Sequence, residues 1–179
     1  PSALIFQHNN WNPNFSDYQR LRQLEAFSVA AADALVCPSA YLARQAAGLF
    51  GGEPVEVIPY PAPSTPQTER PPDVWRSDAI CYVGRLELRK GILEWIQAAV
   101  QVAHSHPRAE FHFVGSDTSL DGGPGRSVRS HVLDQIPRSL RSRFHFKGSM
   151  PRHELTAYLA QFPAAAVPSR WDNLPYTCI

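Results

Sequence analysis

Two kinds of hydrophobic spacing alternate along the chain. Short, unbroken apolar runs such as Ala34–Cys37 and Ala79–Val83 predict strands that are buried on both faces. Between these runs apolar residues recur every three or four positions, as over residues 92–103, which predicts amphipathic helices. Further strands are predicted over residues 4–7, 55–58, 111–114, 144–146 and 164–167, and further helices over residues 17–32, 40–50, 128–136 and 151–161. This alternation predicts an α/β fold with parallel sheets and helices on both faces.

The first two predicted helices carry recognisable start and stop signals. Ser16 and Gln19 form a capping-box pattern, and Ser39 is placed to cap the second helix before Gly51 and Gly52 stop it. In the first helix the residues at helical spacing are Leu21, Leu24, Phe27 and Ala31.

A proline-rich stretch divides the chain. Many of the 17 prolines fall within residues 59–72, and proline excludes both a helix and a central strand there. We therefore predict a first unit over residues 1–58, a semi-rigid extended linker over residues 59–76 and a second unit over residues 77–179.

Composition narrows the class of protein. The 179 residues are 44% hydrophobic and 18% charged, with a net charge of +1, so no general attraction to nucleic acid or to an anionic membrane is expected. Neither a run long enough to span a membrane nor a secretory signal is visible, and the expected location is cytoplasmic. The chain begins at Pro1 rather than at methionine, and we expect it to be a piece of a longer polypeptide.

Cysteine and histidine give no metal signature. The three cysteines are far apart and odd in number, which favours small buried side chains in a reducing compartment over disulfides or zinc. Six histidines also lack metal spacing and are interpreted as surface or strand-packing residues: His104, His106, His112, His131, His145 and His153.

Two loops at predicted strand ends carry candidate chemistry. In the first, over residues 84–91, Gly84 lets the backbone approach a ligand, while Arg85 and Lys90 place positive charge beside the start of the next helix. Such a site suits a diphosphate, although ordinary surface charges are the alternative. In the second, over residues 168–177, Asp172 suits hydrogen bonds to sugar hydroxyls, with a turn or capping aspartate as the alternative.

Several short motifs in order give a family resemblance. The chain resembles the retaining group 1 (family 4) GT-B glycosyltransferases in Gly84-Arg85-Leu86 with Lys90-Gly91, in Val114-Gly115-Ser116-Asp117, in Phe146-Lys147-Gly148 and in Pro168-Ser169 with Asp172. Residues 25–39 and 55–59 are similar to the end of the family's first domain and its run into the linker. The resemblance implies two Rossmann-like domains, both incomplete here: the end of the acceptor-side domain and a truncated donor-binding domain.

The resemblance also implies roles for single residues. Arg85 and Lys90 match the pair that binds the donor diphosphate and stabilises the leaving nucleotide. Asp172 takes the place of the first glutamate of an E-x7-E motif, which contacts the transferred sugar, and it is one methylene shorter. The motif's second acidic residue, which holds the ribose, would fall one position past Ile179. The turn whose backbone approaches the donor is matched by Asn173, Leu174 and Pro175.

His8 is a further candidate. It follows a predicted strand and resembles a histidine that faces the acceptor or the transferred sugar in many members of the family. The alternative is a loop histidine bonded to a backbone carbonyl. Trp11 and Trp171 are interpreted as packing residues rather than as platforms for sugar rings.

The function that the resemblance implies is transfer of a sugar from a nucleoside diphosphate sugar to a hydroxyl acceptor with retention of configuration. No cofactor and no metal are expected, and the departing phosphate would help to remove the acceptor proton. The alternatives are an inactive nucleotide-sugar-binding or regulatory module of the same fold and, less favoured, an epimerase on the same architecture. Peripheral membrane contact and the oligomeric state are left open.

Overall fold

The structure, a computed structural model, describes residues 2–5, 18–52, 54–61, 69–120, 125–170 and 172. The chain divides into two compact units. The first contains residues 1–63, and the second contains residues 64–171. Asp172 groups with the first unit. No described helix is both long and apolar enough to cross a membrane.

The first unit holds a three-stranded parallel sheet in the order β1-β2-β3. Its strands are β1 (Ala3–Ile5), β2 (Ala34–Cys37) and β3 (Val55–Val57), and its helices are α1 (Tyr18–Ala31) and α2 (Ala40–Leu49). The main-chain amide of Leu42 donates to the Ser39 hydroxyl over 3.2 Å, which confirms the predicted cap of α2. The small core consists of Val29, Leu35, Cys37, Leu42 and Ala46.

Helix α1 has the predicted span but not the expected buried face. Leu24 and Phe27 are 58% and 76% exposed, whereas Val29 is the α1 residue that joins the core. Helical spacing identifies which side chains share a face, but whether another element covers that face depends on packing between distant parts of the chain.

The second unit holds a four-stranded parallel sheet in the order β6-β5-β4-β7. Its strands are β4 (Ala79–Val83), β5 (Glu110–Val114), β6 (Phe144–Gly148) and β7 (Ala164–Ala166). Its α-helices are α3 (Ile92–Ser105), α4 (Val128–Gln135) and α5 (Arg152–Leu159). The prediction of parallel α/β architecture is confirmed in both units.

The two faces of the second sheet are covered by different helices. On one face Tyr82, Phe111 and Phe113 pack in a core with the buried residues of α3 and α4. On the other face Cys81, Val83 and Val114 pack with Phe162 and with the partly buried side chains of α5. Because Cys81 is fully buried, its thiol behaves as a small hydrophobe, and burial raises its pKa to about 12.

Within the described ranges, three short 3-10 helices were not predicted. Pro72–Arg76 lies inside the predicted linker, and its Val74 is buried, so the end of that stretch is folded. Arg138–Arg143 precedes β6. Leu88–Lys90 lies within the first candidate loop and leads directly into α3.

Candidate functional site

The strand order places two loops side by side. After β4 the chain passes through α3 to β5 on one side, whereas β7 joins β4 from the other side. The carboxyl ends of β4 and β7 therefore flank a topological switch point, where ligands bind in open α/β sheets. The loop over residues 84–91 leaves β4, and residues 168–170, the described start of the second predicted loop, follow β7 and contact it.

Tyr82 supports the backbone of the 84–91 loop. Its ring is fully buried, and its hydroxyl donates to the main-chain carbonyl of Arg85 over 2.9 Å and faces that of Lys90 at 3.4 Å. Burial, aided by the Glu87 carboxylate, raises the pKa of Tyr82 far above its usual value, so the phenol remains a donor. The Tyr82 hydroxyl thus contacts the main-chain carbonyls of both predicted cationic residues, Arg85 and Lys90.

The loop that follows β5 supports the middle of the same segment. The main-chain amide of Leu86 donates to the Ser116 carbonyl over 2.9 Å, and the Thr118 hydroxyl donates to the Leu86 carbonyl over 2.5 Å. Leu86 itself is buried in the core. The main chain of Leu86 therefore donates one hydrogen bond and accepts another, and together these fix the middle of the 84–91 loop.

Two glycines allow the backbones to come this close. Gly91 has a φ of 69°, and a Cβ there would lie 1.9 Å from the Pro168 carbonyl oxygen. Gly115 has a φ of 152°, and a Cβ there would lie 1.9 Å from the Gly84 carbonyl oxygen. Any side chain at either position would displace a neighbouring backbone, so these glycines set the packing of the three loops.

The charged side chains of the first loop form a small network. Glu87 forms an ion pair with Arg85 at 2.9 Å and accepts a hydrogen bond from Nε of Arg89 over 3.3 Å. The Arg85 side chain is 54% exposed, and Lys90 is half-buried. The loop thus places Arg85, Arg89 and Lys90 next to the start of α3, with the Glu87 carboxylate among them. Sequence reasoning did not assign Glu87 and Arg89 to this network.

The loop after β7 is bound to the first loop and to α3. The main-chain amide of Arg170 donates to the Arg89 carbonyl over 3.0 Å. The Arg170 guanidinium pairs with Glu94, with Nε donating over 2.7 Å to the carboxylate in the first turn of α3. The main-chain amide of Glu94 and this arginine hold the Glu94 pKa below its usual value. The Ser169 hydroxyl oxygen is buried and has no hydrogen-bond partner among the described residues. It is therefore an unsatisfied polar atom in the loop that follows β7.

The predicted site residues fall into three groups. Gly84, Arg85 and Lys90 lie together in the first loop. Asp172 is half-buried and groups with the first unit, so its placement beside Arg85 remains a prediction. Four further predicted site residues lie outside the described residues, namely His8, Asn173, Leu174 and Pro175, as do the predicted packing residues Trp11 and Trp171.

Within the described part of the chain, one group of side chains has the composition of a metal site, and it lies outside these loops. It consists of Glu110, His112 and His145 on β5 and β6. Burial and the neighbouring His145 lower the pKa of His112, an effect that Glu110 opposes. The two histidines pack on the strands as predicted, but their proximity arises from strand pairing, which spacing along the sequence does not reveal.

Comparison with known proteins gives a consistent result. Residues 71–179 match the model of the family described as glycosyl transferases group 1. Over 170 residues the chain is 27% identical to the glycogen synthase of Mycobacterium tuberculosis, an alignment that covers 93% of this chain and 39% of the relative. The chain thus spans about 39% of the length of that curated relative.

Solved structures share the fold. TarM of S. aureus superposes with a TM-score of 0.69 at 13% identity, over 98% of this chain and 33% of TarM. The pneumococcal O-GlcNAc transferase GtfA, solved in complex with UDP and GlcNAc, superposes with a TM-score of 0.65 at 14% identity, over 98% of this chain and 34% of GtfA. The α/β architecture with parallel sheets is therefore the GT-B type.

Proposed function

This chain belongs to the group 1 glycosyl transferases, and from that premise we propose that it forms part of an enzyme that moves a sugar from a nucleoside diphosphate sugar to a hydroxyl acceptor with retention of configuration. The observation that carries the proposal is the loop of residues 84–91. It lies at the switch point of the second sheet and brings Arg85, Lys90 and the start of α3 to one edge.

The charges of this loop suit a diphosphate. A nucleoside diphosphate leaving group carries about two negative charges, and two cations beside a helix amino terminus offset them. Charge accumulates on that group as the bond to the sugar breaks, so donors held in place beforehand stabilise the transition state more than the ground state. The hydrogen bonds from Tyr82 and around Leu86 support such preorganisation, because they fix the backbone from which Arg85 and Lys90 extend.

The loop after β7 is proposed to hold the sugar. Asp172 would accept hydrogen bonds from sugar hydroxyls, while Asn173, Leu174 and Pro175 would bring main-chain groups to the donor. His8 would face the acceptor or the transferred sugar. The departing phosphate would assist in removing the acceptor proton, so the proposal needs neither a protein nucleophile nor a metal.

The relatives support the substrate class. GtfA was solved with UDP and GlcNAc, and the M. tuberculosis relative is named a glycogen synthase. Both names are those of enzymes that handle sugars. A nucleotide-sugar donor and a sugar acceptor are accordingly the proposed substrates of the protein to which this chain belongs.

Calorimetry tests the donor site. UDP, GDP and ADP, free and as their sugars, are titrated into the chain and into a version extended past Ile179. We expect the extended version to bind one nucleotide and its Arg85→Ala variant to bind that nucleotide at least about 10-fold more weakly. Arg108→Ala is the matched control, because Arg108 is 88% exposed and pairs with Asp78. Failure of both versions to bind any nucleotide, or equal binding by Arg85→Ala, would refute the donor site.

A second candidate function is binding of a nucleotide sugar without transfer of the sugar. Asp172 in place of the family's glutamate favours an inactive nucleotide-sugar-binding or regulatory module. Nucleotide binding without sugar transfer by the extended chain supports this candidate, and transfer excludes it.

A further inference from the structure

Three potential metal ligands share one face of the second sheet. Glu110 and His112 are two residues apart on β5, so their side chains lie on the same face, and His145 on β6 is paired with His112. The two imidazole rings lie with their centroids 4.4 Å apart. This is the face covered by α5, and Glu110 begins its strand, so the group lies toward the end of the sheet opposite the 84–91 loop.

Two of the distances between potential ligand atoms are close to those in a zinc site. Oε2 of Glu110 lies 3.6 Å from Nε2 of His112 and 3.5 Å from Nε2 of His145. The ligand atoms of all three residues lie within 4.8 Å of one another. A tetrahedral zinc ion holds its nitrogen and oxygen ligands about 3.4 Å apart. The Glu110 side chain is 52% exposed, so it is free to make the small adjustment that a metal requires.

His112 is oriented by a neighbour in the way that metal-bound histidines are. Its Nδ1 lies 2.7 Å from the hydroxyl of Tyr158 on α5, and its ring packs edge-on against Phe162 with centroids 4.7 Å apart. When Nδ1–H donates to the Tyr158 oxygen, Nε2 presents its lone pair toward Glu110 and His145. A hydrogen bond to the distal ring nitrogen fixes the tautomer and the ring orientation of a ligating histidine.

His145 supplies an independent observation. Its Nε2 is buried and has no hydrogen-bond partner among the described residues, although it lies beside the Glu110 carboxylate. A buried polar atom without a partner has a cost in folding free energy. A metal ion between His145, His112 and Glu110 would remove that cost by accepting the lone pair.

We propose that Glu110, His112 and His145 form a binding site for a divalent transition metal, with Zn²⁺ as the favoured ion. Two imidazoles and one carboxylate suit zinc and leave the fourth tetrahedral position to water. Because β6 is an edge strand and β5 is internal, the ion would join the edge of the sheet to its interior. The group lies away from the loops at the carboxyl ends of the strands, so we assign the ion no part in sugar transfer, and its effect on the described sheet would be to stabilise it.

Zinc binding by the full chain, prepared without a polyhistidine tag and stripped of metal, tests the site. We expect one equivalent of Zn²⁺ to bind in competition with a chromophoric chelator, and Co²⁺ to give the visible bands of a four-coordinate ion. At a zinc concentration 100-fold above Kd the unfolding midpoint should rise by about 5 °C or more. His145→Ala and Glu110→Gln should weaken zinc binding at least about 100-fold, and Tyr158→Phe about 10-fold.

A matched control is present in the same unit. His153 lies 3.6 Å from the Glu154 carboxylate at an exposed position, so His153→Ala removes a histidine beside a carboxylate without touching the cluster. This variant should bind zinc as the wild type does. Glu110→Gln keeps the shape of a half-exposed side chain, so it reports on the site even where His145→Ala fails to fold. Equal zinc affinity in the wild type, His145→Ala and Glu110→Gln would overturn the proposal, as would the absence of stoichiometric binding by the wild type.

Discussion

Gly91 and Pro168 approach so closely that a Cβ on Gly91 would lie 1.9 Å from the Pro168 carbonyl oxygen. The contact joins the start of α3 to the loop that follows β7. These segments leave the two strands that flank the switch point, so the contact determines how closely the walls of the candidate site approach.

Replacing Gly91 by alanine tests this contact. The new methyl group would displace backbone, and a φ of 69° is itself unfavourable for alanine, so we expect the free energy of unfolding to fall by at least about 2 kcal/mol. Urea denaturation of the full chain measures the change. Gly48→Ala is the control with the opposite sign, because Gly48 lies in α2 with open space around it, and alanine there should stabilise by up to about 1 kcal/mol. A Gly91→Ala protein as stable as the wild type would mean that the two backbones are not in contact.

Tyr82→Phe tests the support beneath the cationic loop. The substitution keeps the buried ring and removes the hydroxyl that faces the carbonyls of Arg85 and Lys90. We expect a loss of about 1–2 kcal/mol in the free energy of unfolding, together with weaker nucleotide binding by the extended chain. Tyr41→Phe, at a 45% exposed position in α2, should change neither quantity. Unchanged nucleotide affinity in Tyr82→Phe would show that this hydroxyl does not position the loop for binding.

The Glu94 carboxylate predicts a weak dependence of stability on pH. Its own main-chain amide and, to a lesser extent, Arg170 hold its pKa below the ordinary value of 4.5, so the stabilisation is present above that value and is lost as the pH falls below it. Because about half of each side chain is exposed, the contribution should be under about 1 kcal/mol. Urea denaturation at pH 7 should show the wild type to be more stable than Glu94→Gln, and the difference should vanish at acidic pH.

Arg170→Gln provides the cross-check for this pair. In that background Glu94→Gln should have a smaller effect at pH 7 than it has in the wild type. An equal effect in both backgrounds would mean that the pair does not account for the pH dependence.

The fold could be predicted where the hydrophobic pattern along the sequence matches the residues that are buried in the structure. The central strand β4 is an unbroken apolar run, and α3 carries Ile92, Ile96 and Ala99 at helical spacing, so local pattern and final packing agree there. In α1 the same kind of pattern left Phe27 exposed, because local spacing carries no information about which elements come together.

The candidate site was predictable in part for a similar reason. Gly84, Arg85 and Lys90 are local to one strand end, and the carboxyl ends of parallel strands are where such loops act. The Gly91–Pro168 contact and the pairing of His112 with His145 depend on strand order and register. The spacing of residues along the chain predicts neither of these two contacts, so only the structure reveals them.

The most direct test of the proposed function is the turnover of Arg85→Ala and Lys90→Ala in the complete protein, assayed for sugar transfer with the nucleotide sugar that calorimetry identifies. We predict that each substitution lowers turnover by at least ~10²-fold, because each removes a cation that stabilises the leaving diphosphate, while Arg108→Ala leaves turnover unchanged. Turnover within a few-fold of the wild type for both variants would contradict the diphosphate role of this loop.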